Sequence, residues 1–164
     1  MDYPDITKVY ELARELNATD NIKGILDTVT DHLPRVLGAK YCSLFVINTS
    51  SNELEIKAHN HPDIGDDPFI HISKGQKSIM NLAIERNTSL IIHDIEDEMG
   101  VENKDKYDTK SFMCILIKHK DSISGIINLA DKAPQGFNKN DMLIVSTIAE
   151  LLGALFERID IDMI

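Results

Sequence analysis

Tryptophan is absent, and the 164 residues contain only two cysteines, five phenylalanines and four tyrosines. Two cysteines are too few to staple a small secreted scaffold. Cys42 and Cys114 each fall inside an apolar run of strand character, where a thiol acts as a small buried hydrophobe in a reducing compartment. Positive charge is also scarce. Seventeen Lys and Arg stand against twenty-seven Asp and Glu, giving a net charge of −10. That balance argues against the clustered cationic surface needed to neutralise phosphates or to dock on anionic lipid. No apolar stretch approaches the ~20 residues that span a bilayer. The opening Met1-Asp2-Tyr3-Pro4-Asp5 lacks the apolar core of a signal peptide. The expectation is a soluble, cytoplasmic protein. Missing too are a Walker-type glycine loop, His-Glu-x-x-His and Gly-x-Ser-x-Gly, the signatures of three common enzyme chemistries.

What is present suits one domain: 43% hydrophobic residues for a core and 27% charged residues for a solvated surface. Ile6, Val9, Tyr10, Ala13 and Leu16 recur at helical spacing and predict an amphipathic helix over 4–16. Thr19 or Asp20 can cap a second helix with Ile22, Ile25, Leu26, Val29, Leu33 and Val36 on its apolar face, ended by Gly38. Strand patterns follow at 41–48 and 53–59, where Leu54, Ile56 and Ala58 alternate with Glu55, Lys57 and His59. A Pro- and Asp-rich loop at 60–68 leads to a short strand at 69–72, a helix at 76–86 and a strand at 89–93. Residues 94–109 form a polar excursion long enough to be functional. Strands at 110–118 and 122–130 make a second hairpin, and a long helix runs from Asn138 to about Asp160. In that helix Ile144, Ile148, Leu151, Leu155 and Ile159 form one seam, widened by Leu152 and Phe156, which predicts more than one packing partner.

Three stretches carry a family resemblance. The first runs from Gly38-Ala39 into Tyr41-Cys42-Ser43-Leu44-Phe45-Val46-Ile47-Asn48. The second is Ile72-Ser73-Lys74-Gly75, a helix, then Ser89-Leu90-Ile91-Ile92-His93-Asp94. The third is Ser111 to Ile117, then Gly125-Ile126-Ile127-Asn128-Leu129-Ala130-Asp131-Lys132, Phe137 and Asp141. In order and spacing they resemble a GAF domain, a small-molecule-binding regulatory domain of bacterial signalling proteins. The resemblance implies an α/β (α+β) fold: a central antiparallel sheet of about six strands with the N- and C-terminal helices on one face. A helix and loop region would cover a pocket on the other face. Residues 1–18 would be an N-terminal amphipathic helix and 19–160 the domain with its long final helix. By position in the pattern, the pocket would be lined by Phe69, His71, Ile79, Ile92, Asp94, Tyr107, Phe112 and Cys114.

The implied function is non-catalytic: a ligand under the 60–110 region shifts the terminal helices, which pass the signal on, with a homodimer formed through those helices. Two alternatives stand beside it, a ligand-free dimerisation or interaction module and a cyclic-nucleotide-binding domain with a degenerate motif. Cyclic-nucleotide-binding members carry an Asn-Lys pair, a Phe and then Asp-Glu. Here Asn128 and Lys132 are separated by three residues, and Met142 follows Asp141. A structural Lys132–Asp141 ion pair is the favoured reading of that motif. Neither cysteine is followed by His, as the attachment cysteine of bilin-binding members commonly is. Two cysteines in strand patterns on opposite halves of the chain are a poor match for the disulfide exchange of methionine sulfoxide reduction. Small molecules or cyclic nucleotides are therefore the ligands considered. No metal is expected, because the histidines show no convergent set and the acidic run from Asp94 lacks the glycine and final Glu of a calcium loop.

Overall fold

A computed structural model describes residues 7, 10–12, 14, 15, 21–48, 50–62, 71, 72, 77–104 and 107–158, with the side chains of His71 and Ile72 excepted. The elements are α1 (Ile22–Leu37), β1 (Tyr41–Ile47), β2 (Leu54–His59), β3 (His71–Ile72), α2 (Ile79–Arg86), β4 (Leu90–Ile92), α3 (Ile95–Met99), β5 (Phe112–His119), β6 (Ser122–Ala130) and α4 (Lys139–Glu157). The described residues between 7 and 15 are helical, and Leu12 among them is buried in the core. The strands form one antiparallel sheet in the order β3-β2-β1-β6-β5-β4.

Asn21 caps α1, not Thr19 or Asp20: its side-chain oxygen accepts the Gly24 N–H at 2.7 Å. Pro34 lies within α1 without ending it, and Gly38 in the left-handed region (φ 76°) closes the helix. At α4 the side chains of Asn138 and Asp141 each accept the other's backbone N–H, a reciprocal capping box.

Strand alternation separates two cores. Cys42, Leu44, Val46, Met113, Ile115, Ile117, Ile127 and Leu129 point toward α1 and α4. Phe45, Leu54, Ile56, Phe112, Cys114, Leu116, Ile126 and Ala130 point the other way, toward α2 and α3. Ala58 breaks the alternation predicted for β2. Leu44 pairs with Ala58 while Phe45 pairs with Ile56, so Lys57 is an extra residue in a β-bulge. The bulge turns Ala58 to the helix side while Leu54 and Ile56 stay on the loop side.

The final helix packs through Val145, Ile148, Ala149, Leu152, Gly153 and Phe156. Ile148, predicted to share a seam with Leu151, lies in the chain's own core, whereas Leu143 and Leu151 are exposed at 68% and 57%. Ile159 lies outside the described residues.

A candidate ligand crevice at the open end of the sheet

The loop-side face of the sheet is largely filled by the chain itself. Ile79, Met80 and Ala83 of α2 and Ile95 of α3 close over β4, β5 and β6. Among the described residues, an opening lies where β1 begins and β6 ends. There a crevice of about 10 Å³, room for one water, is bordered by Tyr41, Ser43, His61, Tyr107, Asn128 and Ala130. Cys42 also borders it, although its side chain belongs to the helix-side core.

The walls are aromatic. The Tyr41 and His61 rings lie 3.9 Å apart at 34°, and Tyr107 meets His61 edge-on at 5.7 Å. Phe112 supports Tyr107 from the sheet, again edge-on, at 5.0 Å. Burial pushes the Tyr107 phenol up to about 12, and the nearby Asp131 and Tyr41 add to the shift. The floor is polar. Asn128 sits mid-sheet, paired across the ladder with Ser43 on one side and Cys114 on the other. It is 8% exposed, and its Oδ1 is buried with no hydrogen-bond partner. A buried amide oxygen left unmatched costs on the order of 1–3 kcal/mol, so such a group marks a place where a donor is expected. No lysine or arginine lines the crevice among the described residues. Lys40 is engaged by Asp108, and Lys132 by Asp141 at 2.6 Å.

The polar excursion is a built structure. Asp94 caps α3 by accepting the Glu96 and Asp97 N–H groups, and the Glu98 carboxylate accepts those of His93 and Asp94. Glu96 takes the Asn103 N–H at 3.1 Å and the Lys110 ammonium at 2.5 Å. That partnership lowers the Glu96 pKa and raises that of Lys110. The Asn103 amide then donates to the Thr109 carbonyl at 3.0 Å. The loop's far end is fastened by Asp131, which is 2% exposed. Its carboxylate accepts from the Asp108 N–H (3.0 Å), the Thr109 N–H (2.8 Å) and the Thr109 hydroxyl (3.0 Å).

The residues expected to line a pocket are spread over this face. Tyr107 lines the crevice and Phe112 supports it. Ile79, Ile92 and Cys114 are buried in the loop-side core. Asp94 is occupied in capping α3. His71 is placed by its backbone in β3, opposite Glu55, and Phe69 lies outside the described residues. Tyr41, Ser43, His61 and Asn128 were not among the expected lining residues, and Asn128 entered the sequence reading only as part of the degenerate cyclic-nucleotide motif. The available signal was Asn128, the one polar residue in the run Ile126-Ile127-Asn128-Leu129-Ala130.

The two cysteines face opposite sides of the sheet and are fully buried, and burial raises both thiols well above their ordinary range. Among the described residues no group of three or more His, Cys, Asp or Glu side chains is placed to hold a metal ion. No described helix is long and apolar enough to cross a membrane.

Comparison with known proteins agrees with this architecture. No curated protein sequence matches the chain. Among solved structures, the GAF domain of a phosphoenolpyruvate-protein phosphotransferase from Coxiella burnetii is similar with a TM-score of 0.83 at 20% identity, covering 93% of this chain and 92% of that one. The corresponding domain from Acinetobacter gives 0.82 at 12% identity, with 96% and 95% covered. A free methionine-R-sulfoxide reductase from Neisseria meningitidis, solved with its substrate, gives 0.74 at 14% identity, with 91% and 86% covered. Identities this low speak for the fold alone. The GAF domain family model matches residues 21–155, and the chain belongs to the GAF domain family.

Proposed function

We propose that this chain is a cytoplasmic, non-catalytic regulatory domain that binds a small molecule at the crevice of Tyr41, His61, Tyr107 and Asn128. The observation that carries the reading is the unmatched Asn128 oxygen beneath three aromatic rings. An aromatic enclosure with one polar anchor is the usual chemistry of a small-molecule site. At about 10 Å³ the crevice admits a larger ligand only if Tyr107 or His61 moves aside. Binding is thereby linked to a conformational change, which is what a sensor requires.

Catalysis by thiol exchange is disfavoured by the cysteines. A reactive cysteine needs an accessible thiolate, whereas Cys42 and Cys114 are buried on opposite faces with raised pKa values. Cyclic nucleotides rank behind neutral ligands, because the described lining offers no cation to a phosphate. The second reading, a ligand-free interaction module, is favoured by the extent to which α2 fills the loop-side face.

The deciding measurement is native mass spectrometry of untagged protein before and after denaturation. The expected result is an added mass that disappears on denaturation and is lost in Asn128→Leu. A bare chain that stays bare on exposure to cell extract would favour the interaction module. In either reading we propose a homodimer through the terminal helices, with Leu143 and Leu151 at its centre. Leu143→Glu with Leu151→Glu should give monomer in sedimentation velocity, and an unchanged dimer would exclude this surface.

A further inference from the structure

Asp131 and Lys132 are adjacent in sequence and hold different parts of the molecule. Through its side chain Asp131 fastens Asp108 and Thr109, the residues directly after the crevice wall Tyr107. Its carbonyl accepts the Lys40 N–H at 3.1 Å, at the joint between α1 and β1. Lys132 reaches the other way, to the Asp141 carboxylate at 2.6 Å, and the same Asp141 oxygen accepts the N-cap Asn138 N–H. Crevice loop, α1–β1 joint and α4 start therefore meet at two residues.

Asp131 has φ 63°, in the left-handed region that most residues with a side chain avoid and that Asp and Asn enter more readily. Three loop donors on its carboxylate and one donor on its carbonyl hold it. If Tyr107 is displaced, Asp108 and Thr109 move with it and those donors are withdrawn. Without those donors the commoner negative φ becomes open to Asp131, and a rotation there would turn the backbone that carries Lys132 relative to Asp141.

We propose that Asp131-Lys132 is a two-state latch that couples the crevice loop to the first turn of α4, with the left-handed Asp131 as the closed state. Its biological use rests on the crevice being a ligand site, but the coupling belongs to the chain itself and is measurable without ligand. A two-state element biased from both ends is the physical content of such coupling, which must run in both directions.

The test is residue-resolved amide hydrogen exchange on the full chain, read at Asp108 and Thr109 in the loop and at Asp141 and Met142 in α4. The β5 amides Met113 to Ile117 serve as an internal reference. Lys132→Met removes the α4 anchor and touches nothing in the loop. It should nevertheless speed the locally opening Asp108 and Thr109 amides about tenfold, whereas the β5 amides, which open globally, report only the drop in overall stability. Asp131→Ala should do the reverse, speeding Asp141 and Met142 by a similar factor. If Asp131→Ala unfolds the chain, Asp131→Asn retains one acceptor and the left-handed preference and should give the same pattern at smaller amplitude. Acceleration confined to the mutated end in both directions overturns the latch. The result is independent of whether native mass spectrometry finds a ligand, so the two readings fail separately.

Discussion

The Lys132 ammonium lies 2.6 Å from the Asp141 carboxylate, with 11% and 6% of the two side chains exposed. A nearly dry ion pair adds little over an apolar pair, but losing one partner strands a buried charge, at about 3–5 kcal/mol. Lys132→Met should therefore lower unfolding free energy in urea by about 3 kcal/mol with no change in slope. Lys132→Met with Asp141→Leu should cost clearly less than the two single changes summed. Additive losses would show that the pair is not the unit.

Asn128 presents the opposite case. Because its Oδ1 has no partner, replacing the amide by an apolar group of like shape removes an unmet desolvation cost. Asn128→Leu is expected to raise stability by about 1 kcal/mol while abolishing any retained ligand. A destabilised variant would mean that the amide is satisfied in solution, by ordered water for instance.

Tyr107 makes the fold sensitive to alkali. Its phenol rises from 10.0 to about 12 on burial, so the folded state keeps a proton that the unfolded state releases between those values. Stability is thus full below pH 10 and falls as pH climbs toward 12, by up to roughly 2–3 kcal/mol at 1.36 per pH unit. Tyr107→Phe should flatten that decline relative to the parent chain. Equal declines in parent and variant would place the alkaline sensitivity elsewhere.

Gly153 lies where α4 crosses the β5–β6 turn. A Cβ there would stand 2.0 Å from the Lys118 carbonyl oxygen, a backbone atom with no room to yield. Gly153→Ala is expected to cost about 1–3 kcal/mol through overpacking, despite alanine's better helix propensity. Thermal unfolding reads it directly. A higher melting temperature would show that α4 rides further from the turn.

Much of this was legible in the sequence, because it rests on local pattern. The periodicities ahead of Gly38 and from Asn138 to about Asp160 became α1 and α4, and the Lys132–Asp141 pair was the favoured structural reading of the motif that the family resemblance brought out. The failures lie where long-range contacts decide. Ala58 changed faces because the β1–β2 ladder absorbs Lys57 as a bulge, which alternation within β2 cannot reveal. Asn21, as good a cap as Asp20 and better than Thr19, took the α1 cap because the helix starts one residue later than Asp20 would place it. The crevice was harder still. Tyr41, His61, Tyr107 and Asn128 come from the start of β1, two loops and the last part of β6, and only the folded sheet brings them together.

Strict alternation along β5 has one further consequence. Met113, Ile115 and Ile117 serve the helices while Phe112, Cys114 and Leu116 serve the loop side, yet all six occupy a single strand. Each set answers to its own neighbours, so a lineage can retool the loop-side face one side chain at a time without disturbing the helix-bearing face. The sheet works as a partition wall between two rooms, and a new ligand preference needs renovation in only one of them.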